Sequence, residues 1–598
     1  MKYKILLLIF LNFFIFTLFA QISETKSYEL SWKGIEKWTT NSSSIDVISF
    51  VGAQFPSENR LPYFNQRIAI DKAFSYKVEI SKPVFIQLTN AEKVILEVNS
   101  IPTEPEVKTD ILTERGSNLM DIKVLPFVNH DGQIQKLKSF DLILNKIPQS
   151  QKVASTTRHT YVSNSVLSQG KFVKIKITNS GIYKLSYENL VSMGVDPSNV
   201  RIFGYGGAML EQSFLLDKPD DLPEASIWME KGADGVFNDG DYILFYAQGI
   251  NKWTYDISKS MFTHIINPYS KFGYYFVSSD AGVGKKILPQ NVVTPVNSII
   301  ENVDEFLDYQ VAEKDLINLI GSGKEFYGEE YKDVTSYDFN FNFPNPVSGN
   351  TTAVRLDVAA SASVSTSFNL TLNGAQSKVL TVPTRTLGDI YEQGKSTSGI
   401  YSYSPQGDAF AFKLSYDKST SNTSVGYLNF LEVNARRQLK MSGSVMTFQN
   451  VDNLGMGSYN KYLLSDANSN VQIWDLTDPS NISSMQTQTV NGKLTFIASN
   501  NDLKRYVAID PTASSDFPTP VIEAEVPNQN LHSLAPVDMV ILTHPNFVAQ
   551  AEILAQAHRV KDNLTVAVVT TDQVYNEFSS GAPDATAYRW VMKMLYDR

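Results

Sequence analysis

Val537-Asp538-Met539-Val540-Ile541-Leu542-Thr543 is apolar almost throughout. A run of this kind, without polar alternation, reads as a β-strand covered on both faces. His544-Pro545 turns the chain, Asn546 is placed to cap a helix, and Phe547, Ala551, Leu554, Ala555 and His558 then recur on a single helical face. Val566-Ala567-Val568-Val569 reads as a second covered strand. After the loop Asn576-Glu577-Phe578-Ser579-Ser580-Gly581, Asp584 is a good N-cap for a last helix with Ala587, Val591, Met594 and Leu595 on one side. Strand, helix, strand, helix is the opening of a parallel α/β sheet. Such sheets usually have about four to six strands with helices on both faces, so residues 530–598 are expected to be the front of a domain that continues beyond Arg598.

Upstream the pattern changes to short alternating runs. Tyr76/Val78/Ile80, Val84/Ile86/Leu88, Val94/Leu96/Val98 and Phe140/Leu142/Leu144 alternate at period two, separated by turn signals at Lys82-Pro83, Asn99 to Pro102 and Asp131-Gly132. Residues 21–150 therefore read as a β-sandwich or meander, followed by an apolar-poor linker from Gln149 to Thr160. A second β-rich module, 160–300, opens with Phe172 to Ile177, in which Lys174 and Lys176 face away from Val173, Ile175 and Ile177. Ser186 caps a short helix there, stopped by Gly194 and Pro197. Between about 300 and 345 the apolar residues fit neither period. From 352 to 525 the β pattern returns, with hairpin turns at Asn373-Gly374 and Asn491-Gly492, so 301–525 is expected to hold one or more β-rich domains. Pro518, Pro520 and Pro527 mark the approach to the α/β segment.

With 598 residues, 43% of them apolar, the chain has material for roughly three to five packed domains. A net charge of -10 argues against a nucleic-acid partner, which wants a basic face. Its 29 Tyr and 34 Phe, among many Asn, Ser, Thr and Gly, suit extracellular β modules. Residues 1–20 carry Lys2 and Lys4, an apolar run from Ile5 to Phe16, and Leu18-Phe19-Ala20, the pattern of a signal peptide cleaved after Ala20. The mature chain is thus expected to be exported. There is no cysteine, which excludes disulfides, zinc-thiolate clusters and a thiol nucleophile within these residues.

Candidate chemistry is sparse. Asp234, Asn238, Asp239 and Asp241 offer hard oxygen ligands of the kind calcium takes, although Asp/Asn-Gly clusters mostly turn the chain and the spacing is not that of an EF-hand. No metal site is therefore assigned, with Asp234, Asp239 and Asp241 the only weak candidates, and no cofactor is expected beyond a possible calcium ion. His544 stands at the carboxyl end of the first buried strand, where α/β sheets hold ligands, yet a lone His beside Pro is more often structural. His532 is weaker still, and His558 belongs on the buried helix face with its ring satisfied. Asp220/Asp221 and Glu329/Glu330 read as solvated pairs. Gly204-Tyr205-Gly206-Gly207 follows a strand but opens no helix, and no other nucleotide, hydrolase or metalloprotease motif is present.

Several stretches carry a resemblance: Asn528-Gln529-Asn530-Leu531-His532, Asp538 to Thr543 with His544-Pro545, Tyr575-Asn576-Glu577-Phe578-Ser579-Ser580-Gly581, Asp584-Ala585-Thr586-Ala587, and Lys593 to Arg598. Together they resemble the opening of the gingipain-like cysteine peptidase domain, in the version found in type IX secretion sortases. Upstream, Ser322 to Glu329, Val433 to Arg437 and Trp474 to Pro479 are similar to the middle region of the same family.

The resemblance implies a mixed fold: β-rich sandwich-type modules followed by a truncated α/β domain, caspase-like and gingipain-type. It implies an enzyme at the cell surface, associated with the outer membrane, that removes the C-terminal signal domain of cargo proteins and attaches them to anionic lipopolysaccharide. The implied partners are the outer-membrane barrel PorV and its attachment complex. The family's mechanism uses a Cys thiolate with a His base. Both belong to later strands, so no catalytic residue is assigned in this chain, which should be inactive alone. Two other functions compete: a non-catalytic β-sandwich surface or adhesion-type protein, and a pro-region or docking platform for a peptidase.

Overall fold

The computed structural model describes the chain except for residues 1–21, 40–43, 56–60, 72–73, 97–100, 115–116, 131–132, 149–159, 215, 217, 281, 296–298, 387–391, 453 and 455–457. The expected signal peptide, most of the 149–160 linker, the Asp131-Gly132 turn and half of the Asn99 to Pro102 turn fall outside the described residues. The chain forms two compact units, Met1–Thr157 and Arg158–Arg598. No helix among the described residues is long and apolar enough to cross a membrane.

The first unit is antiparallel β structure. Strand Gln133–Pro148 pairs with Ile22–Glu29, Phe74–Gln87 and Phe127–His130, and a second sheet orders Phe64–Ala69, Ser117–Leu125 and Glu106–Glu114. Phe140, Leu142 and Leu144 of the first sheet share a core with Met120, Ile122 and Val124 of the second, so period-two alternation produces a sandwich.

Two expectations fail in this unit. Lys82-Pro83 is not a turn between strands but a bulge inside Phe74–Gln87, where the pairing register shifts and Lys82 takes a φ of 46°. Val94 and Leu96 do not open a strand, because Asn90–Ile95 is a helix that ends at Leu96; Val98 lies outside the described residues. Thr89 and Glu92 close a capping box that satisfies the helix's first amides, and Val94 is left 86% exposed.

In the second unit, residues 305–438 build a sandwich. One sheet runs Glu305–Glu313, Val425–Gln438, Thr352–Ser361, Lys395–Tyr403; the other runs Ser336–Asn342, Ala409–Asp417, Thr366–Leu372, Gln376–Val382. Much of the segment that fits neither period is therefore strand, and Phe339, Phe341, Phe368, Phe410 and Phe412 fill the space between the sheets. Asn373 and Gly374, with φ of 47° and 70°, turn one hairpin; Asn491 and Gly492, with φ of 51° and 73°, turn another.

The modules on either side of this sandwich are joined in space. Ile182, Tyr242, Leu244 and Tyr246 pack in one core with Trp474, Ile482, Val507 and Ile509. The proline-marked approach is itself a strand, Val521–Val526, which returns to pair antiparallel with Phe172–Ile177 at the edge of a five-stranded sheet. Sequence boundaries near 300 and 525 thus cut across one packed body.

The terminal segment supplies two parallel strands, Met539–Thr543 and Val566–Thr570, paired from Met539↔Val566 to Thr543↔Thr570. Around them lie helices Val548–Lys561, Thr571–Phe578 and Ala585–Asp597. Asp584 caps the last helix through its bond from the Thr586 amide (2.8 Å), and Ala587, Val591 and Met594 are buried as expected. Asn576 to Phe578, read as loop, ends an additional helix that Thr570 and Gln573 start with a capping box.

Burial of this segment also differs from expectation. Strand Met539–Thr543 is half-buried at every position instead of covered on both faces. Val540 and Leu542 pack against Val569, Val574 and Val591, while helix Val548–Lys561 buries only Ala551 and Ala555. Ile553 and Val560 on that helix are 73% and 71% exposed. Leu554 is also exposed and His558 half-exposed, so the expected five-residue stripe shrinks to two alanines.

Candidate functional site

A cleft of about 530 Å³ opens at the carboxyl ends of the two parallel strands, where Thr570 ends one and Pro545 lies just after the other. Open α/β sheets hold their ligands at such ends, because the backbone turns outward there and the following helix presents its amino terminus. One wall is the edge strand, with Glu523 and Glu525; the other is helix Thr571–Phe578, with Asp572, Gln573, Tyr575 and Asn576.

Lys174 lies against this cleft from the outward face of Phe172–Ile177. Its Nζ donates to the Gly581 carbonyl at 2.8 Å and to Asn576 Oδ1 at 3.4 Å, and stands 4.2 Å from the Tyr274 ring centre. Burial pushes its pKa down to about 8, partly offset by Glu523 and Asp572. The cleft thus combines an ammonium, carboxylates and side-chain amides, groups that can hold a peptide by hydrogen bonds. It contains no thiol, since the chain has no cysteine.

The cleft's geometry depends on how the terminal segment is held. Glu577, fully buried, accepts from the Leu531 amide at 2.7 Å, the His532 amide at 3.1 Å, Gln529 Nε2 at 2.9 Å and His532 Nδ1 at 2.6 Å. Asn576 Nδ2 donates to Gln529 Oε1 at 3.1 Å. Two stretches that carry the family resemblance, 528–532 and 575–581, are therefore interlocked side chain by side chain. The His532 ring also stacks on Phe578 with centroids 4.7 Å apart. Burial opposes charging this ring, but Asp220 and Glu577 outweigh it and raise the pKa to about 9.

A second anchor is Ser580, whose φ is 54°. Its Oγ accepts from the Tyr205 and Gly206 amides at 3.0 and 3.3 Å and donates to the Tyr274 carbonyl at 2.9 Å. Asp584 Oδ2 accepts from the Leu210 amide at 2.8 Å, and Trp590 Nε1 donates to the Glu211 carbonyl at 2.9 Å. Gly204-Tyr205-Gly206-Gly207 is thus a docking loop and not a phosphate cradle. Its glycines allow close approach: a Cβ on Gly207 would lie 2.6 Å from Gly273 Cα.

Other residues singled out from the sequence fall elsewhere. His544 is exposed and caps the short turn after the first strand, accepting from the Asn546 amide at 3.2 Å; the cap is two residues earlier than expected, so Asn546 does not take that role. His558 is not buried, and its Nδ1 meets Asp562 at 2.6 Å. Asp220 and Asp221 are not a solvated pair: Asp220 Oδ2 accepts from the Val162 amide at 2.5 Å and Asp221 Oδ2 from the Val166 amide at 2.6 Å. Burial pushes the Asp221 carboxyl up. Glu329 pairs with Lys314 at 2.8 Å, while Glu330 is exposed. Asp234 accepts from the Val236 amide and Asn238 Nδ2, and Asp241 accepts from the Asn238 amide, each within the turn. Among the described residues, no group of three or more His, Asp or Glu is arranged to hold a metal ion.

Sequence patterning missed a second buried histidine. His264 Nδ1 meets Glu432 Oε1 at 2.5 Å, its Nε2 bonds Glu313, and Arg355 Nη1 donates to Glu432 Oε2 at 3.0 Å. Burial again opposes the charge, but the two glutamates outweigh it and lift the pKa to about 9.

Residues 532–598 match Peptidase family C25. The fold is similar to that of a dimeric latent PorU from Porphyromonas gingivalis, with 27% identity and a TM-score of 0.63 over 73% of this chain and 40% of that one. The match therefore spans less than half the length of that relative. The complex of RgpB pro- and mature domains from the same organism is a far weaker likeness, at 15% identity and a TM-score of 0.17 over 21% of this chain and 81% of that one. No curated protein matches the chain.

Proposed function

We propose, from a chain that is PorU-like and ends in a gingipain-type cysteine peptidase segment, that it is the supporting part of a type IX secretion sortase. In that role the enzyme cleaves the C-terminal signal domain of exported cargo and attaches the cargo to anionic lipopolysaccharide. It would act at the cell surface on the outer membrane, alongside a PorV-type barrel. Cargo, lipopolysaccharide and barrel are partners by proposal.

The observation that carries this function is the cleft at the carboxyl ends of the two parallel strands, where the segment that matches Peptidase family C25 meets the edge strand Val521–Val526 and Lys174. The division of labour follows from composition. None of the 598 residues is a cysteine, so these residues position and the thiolate chemistry has to come from residues outside them. A platform role for the β modules fits the same enzyme, because Glu577, Ser580 and Asp584 fix the peptidase segment through bonds to residues 205–210 and 529–532.

The test has two arms. Residues 21–598 alone should give no cleavage of a cargo C-terminal domain, and measurable turnover would refute the division of labour. The reading frame after Arg598 should supply a His-Gly pair and a later cysteine, and the product of that longer frame should cleave the cargo domain. A stop codon directly after Arg598, or a long product without turnover, would favour the non-catalytic surface protein.

A further inference from the structure

A second cleft, of about 640 Å³, lies far from the peptidase segment in sequence, between hairpin Asn251–Asp256/Met261–Ile266 and the loop around 501–505. One wall is a cluster of mutually tilted aromatic rings: Trp253 and Tyr309 have centroids 4.3 Å apart, Tyr309 and Phe262 4.5 Å, and Phe262 and Tyr255 5.2 Å. Trp253, Tyr255 and Tyr309 are half-buried over a buried Phe262, and half-buried rings on a cleft wall offer flat apolar surface to whatever enters.

Arg505 lines the same cleft. Its Nη1 donates to Tyr246 Oη at 3.2 Å, and its Nε is buried without a hydrogen-bond partner. No carboxylate pairs with this guanidinium among the described residues: Asp308, the acid that acts on it electrostatically, is bound to Arg437 at 2.8 Å. Arg505 is half-buried and shares its nearest acid with Arg437, so an anion entering the cleft would add an acceptor to a guanidinium whose planar fork suits a carboxylate.

We propose that this cleft binds a carboxylate attached to an apolar or aromatic body, with Arg505 as the counter-ion and the Trp253 and Tyr309 rings as the surface for the body. Two sources share that chemistry: the free C-terminus of a peptide ending in an apolar residue, and a free aryl- or alkyl-carboxylic acid. The site does not depend on the peptidase assignment.

The experiment is calorimetric titration of the whole chain with N-acetyl-Leu-Phe, its C-terminal amide, and 3-phenylpropionate. The peptide acid is expected to bind at least ten-fold tighter than the amide. If 3-phenylpropionate binds as tightly as the peptide acid, the source is a free acid; if it binds more weakly, the source is a chain end. Arg505→Gln should erase the preference for acid over amide. Because Arg505 is half-buried and starts a core strand, Ile257→Asp at the mouth provides a second variant: Ile257 is 76% exposed, and a carboxylate there should weaken the acid several-fold and leave the amide unchanged. Equal affinity for acid and amide, or no binding of any probe at millimolar concentration, overturns the proposal.

Discussion

His532 Nδ1 lies 2.6 Å from Glu577 Oε2, and both side chains are fully withdrawn from solvent. The pair joins the segment that enters the peptidase-like block to the helix that walls its cleft. Glu577 also accepts two main-chain amides, so it is a hub whose loss leaves several donors unsatisfied at once.

Glu577→Gln should therefore destabilise the second unit by about 3 kcal/mol, since removing one partner strands a buried charge. The pH dependence has a definite sign. The folded ring titrates at about 9 against an ordinary value of 6.5, so the stabilisation is fully present below about pH 6.5 and is lost as the pH rises through about 9. Urea unfolding at pH 6 and pH 10, for wild type and variant, should show a gap that narrows at the higher pH. A constant gap would mean that the ring is neutral in the fold.

His264→Phe should cost about 3 kcal/mol by leaving Glu313 and Glu432 facing each other with only Arg355 to compensate. The loss should be local. The hairpin carrying Trp253 is held to strand Val425–Gln438 partly through this histidine and through Asn434, which bonds the Phe262 amide at 2.7 Å and its carbonyl at 2.9 Å. Hydrogen exchange should accelerate at residues 251–266 before the rest of the unit. Uniform acceleration would assign the histidine a global role instead.

Gly206→Ala tests the docking loop. Gly206 has a φ of 85°, and a Cβ there would run into the Gln248 carbonyl well inside contact distance. The substitution should cost about 3 kcal/mol through strain and displacement. Protection of the Ser580 region against proteolysis should fall with it. A variant with an unchanged melting temperature would show that the loop can shift freely.

Thr89→Ala removes the cap of the one helix in the first unit that the period-two pattern misread. About 1 kcal/mol should be lost, and in calorimetry only the transition of unit Met1–Thr157 should move. A shift in the transition of Arg158–Arg598 would mean that the two units unfold together.

Legibility followed the range of the interactions involved. Asp584 as a cap, Ser186 with its Gly194 stop, and the Asn-Gly hairpins rest on contacts within a few residues, and each was readable from its own segment. Val94, Leu96 and Val98 misled because alternation is compatible with an exposed helix turn, and the deciding signal was the Thr89/Glu92 pair. The Lys82-Pro83 bulge lies within one long strand and looks locally like a turn. The polar anchors could not be read at all. Glu432 is 168 residues from His264, Lys174 is 407 from Gly581, and Ser580 meets an amide 375 residues away. Nothing in their own neighbourhoods separates such residues from solvated charges, as Asp220 and Asp221 demonstrate.

The core shared by Ile182, Tyr242 and Leu244 with Trp474, Val507 and Ile509 governs how the molecule can be divided. A gene fragment stopped near residue 300 would strip one half of that close-packed seam and yield inclusion bodies. A protease nick placed between the halves, for example in the exposed loop at 418–421, should by contrast leave two polypeptides that co-elute from a sizing column and separate only in denaturant.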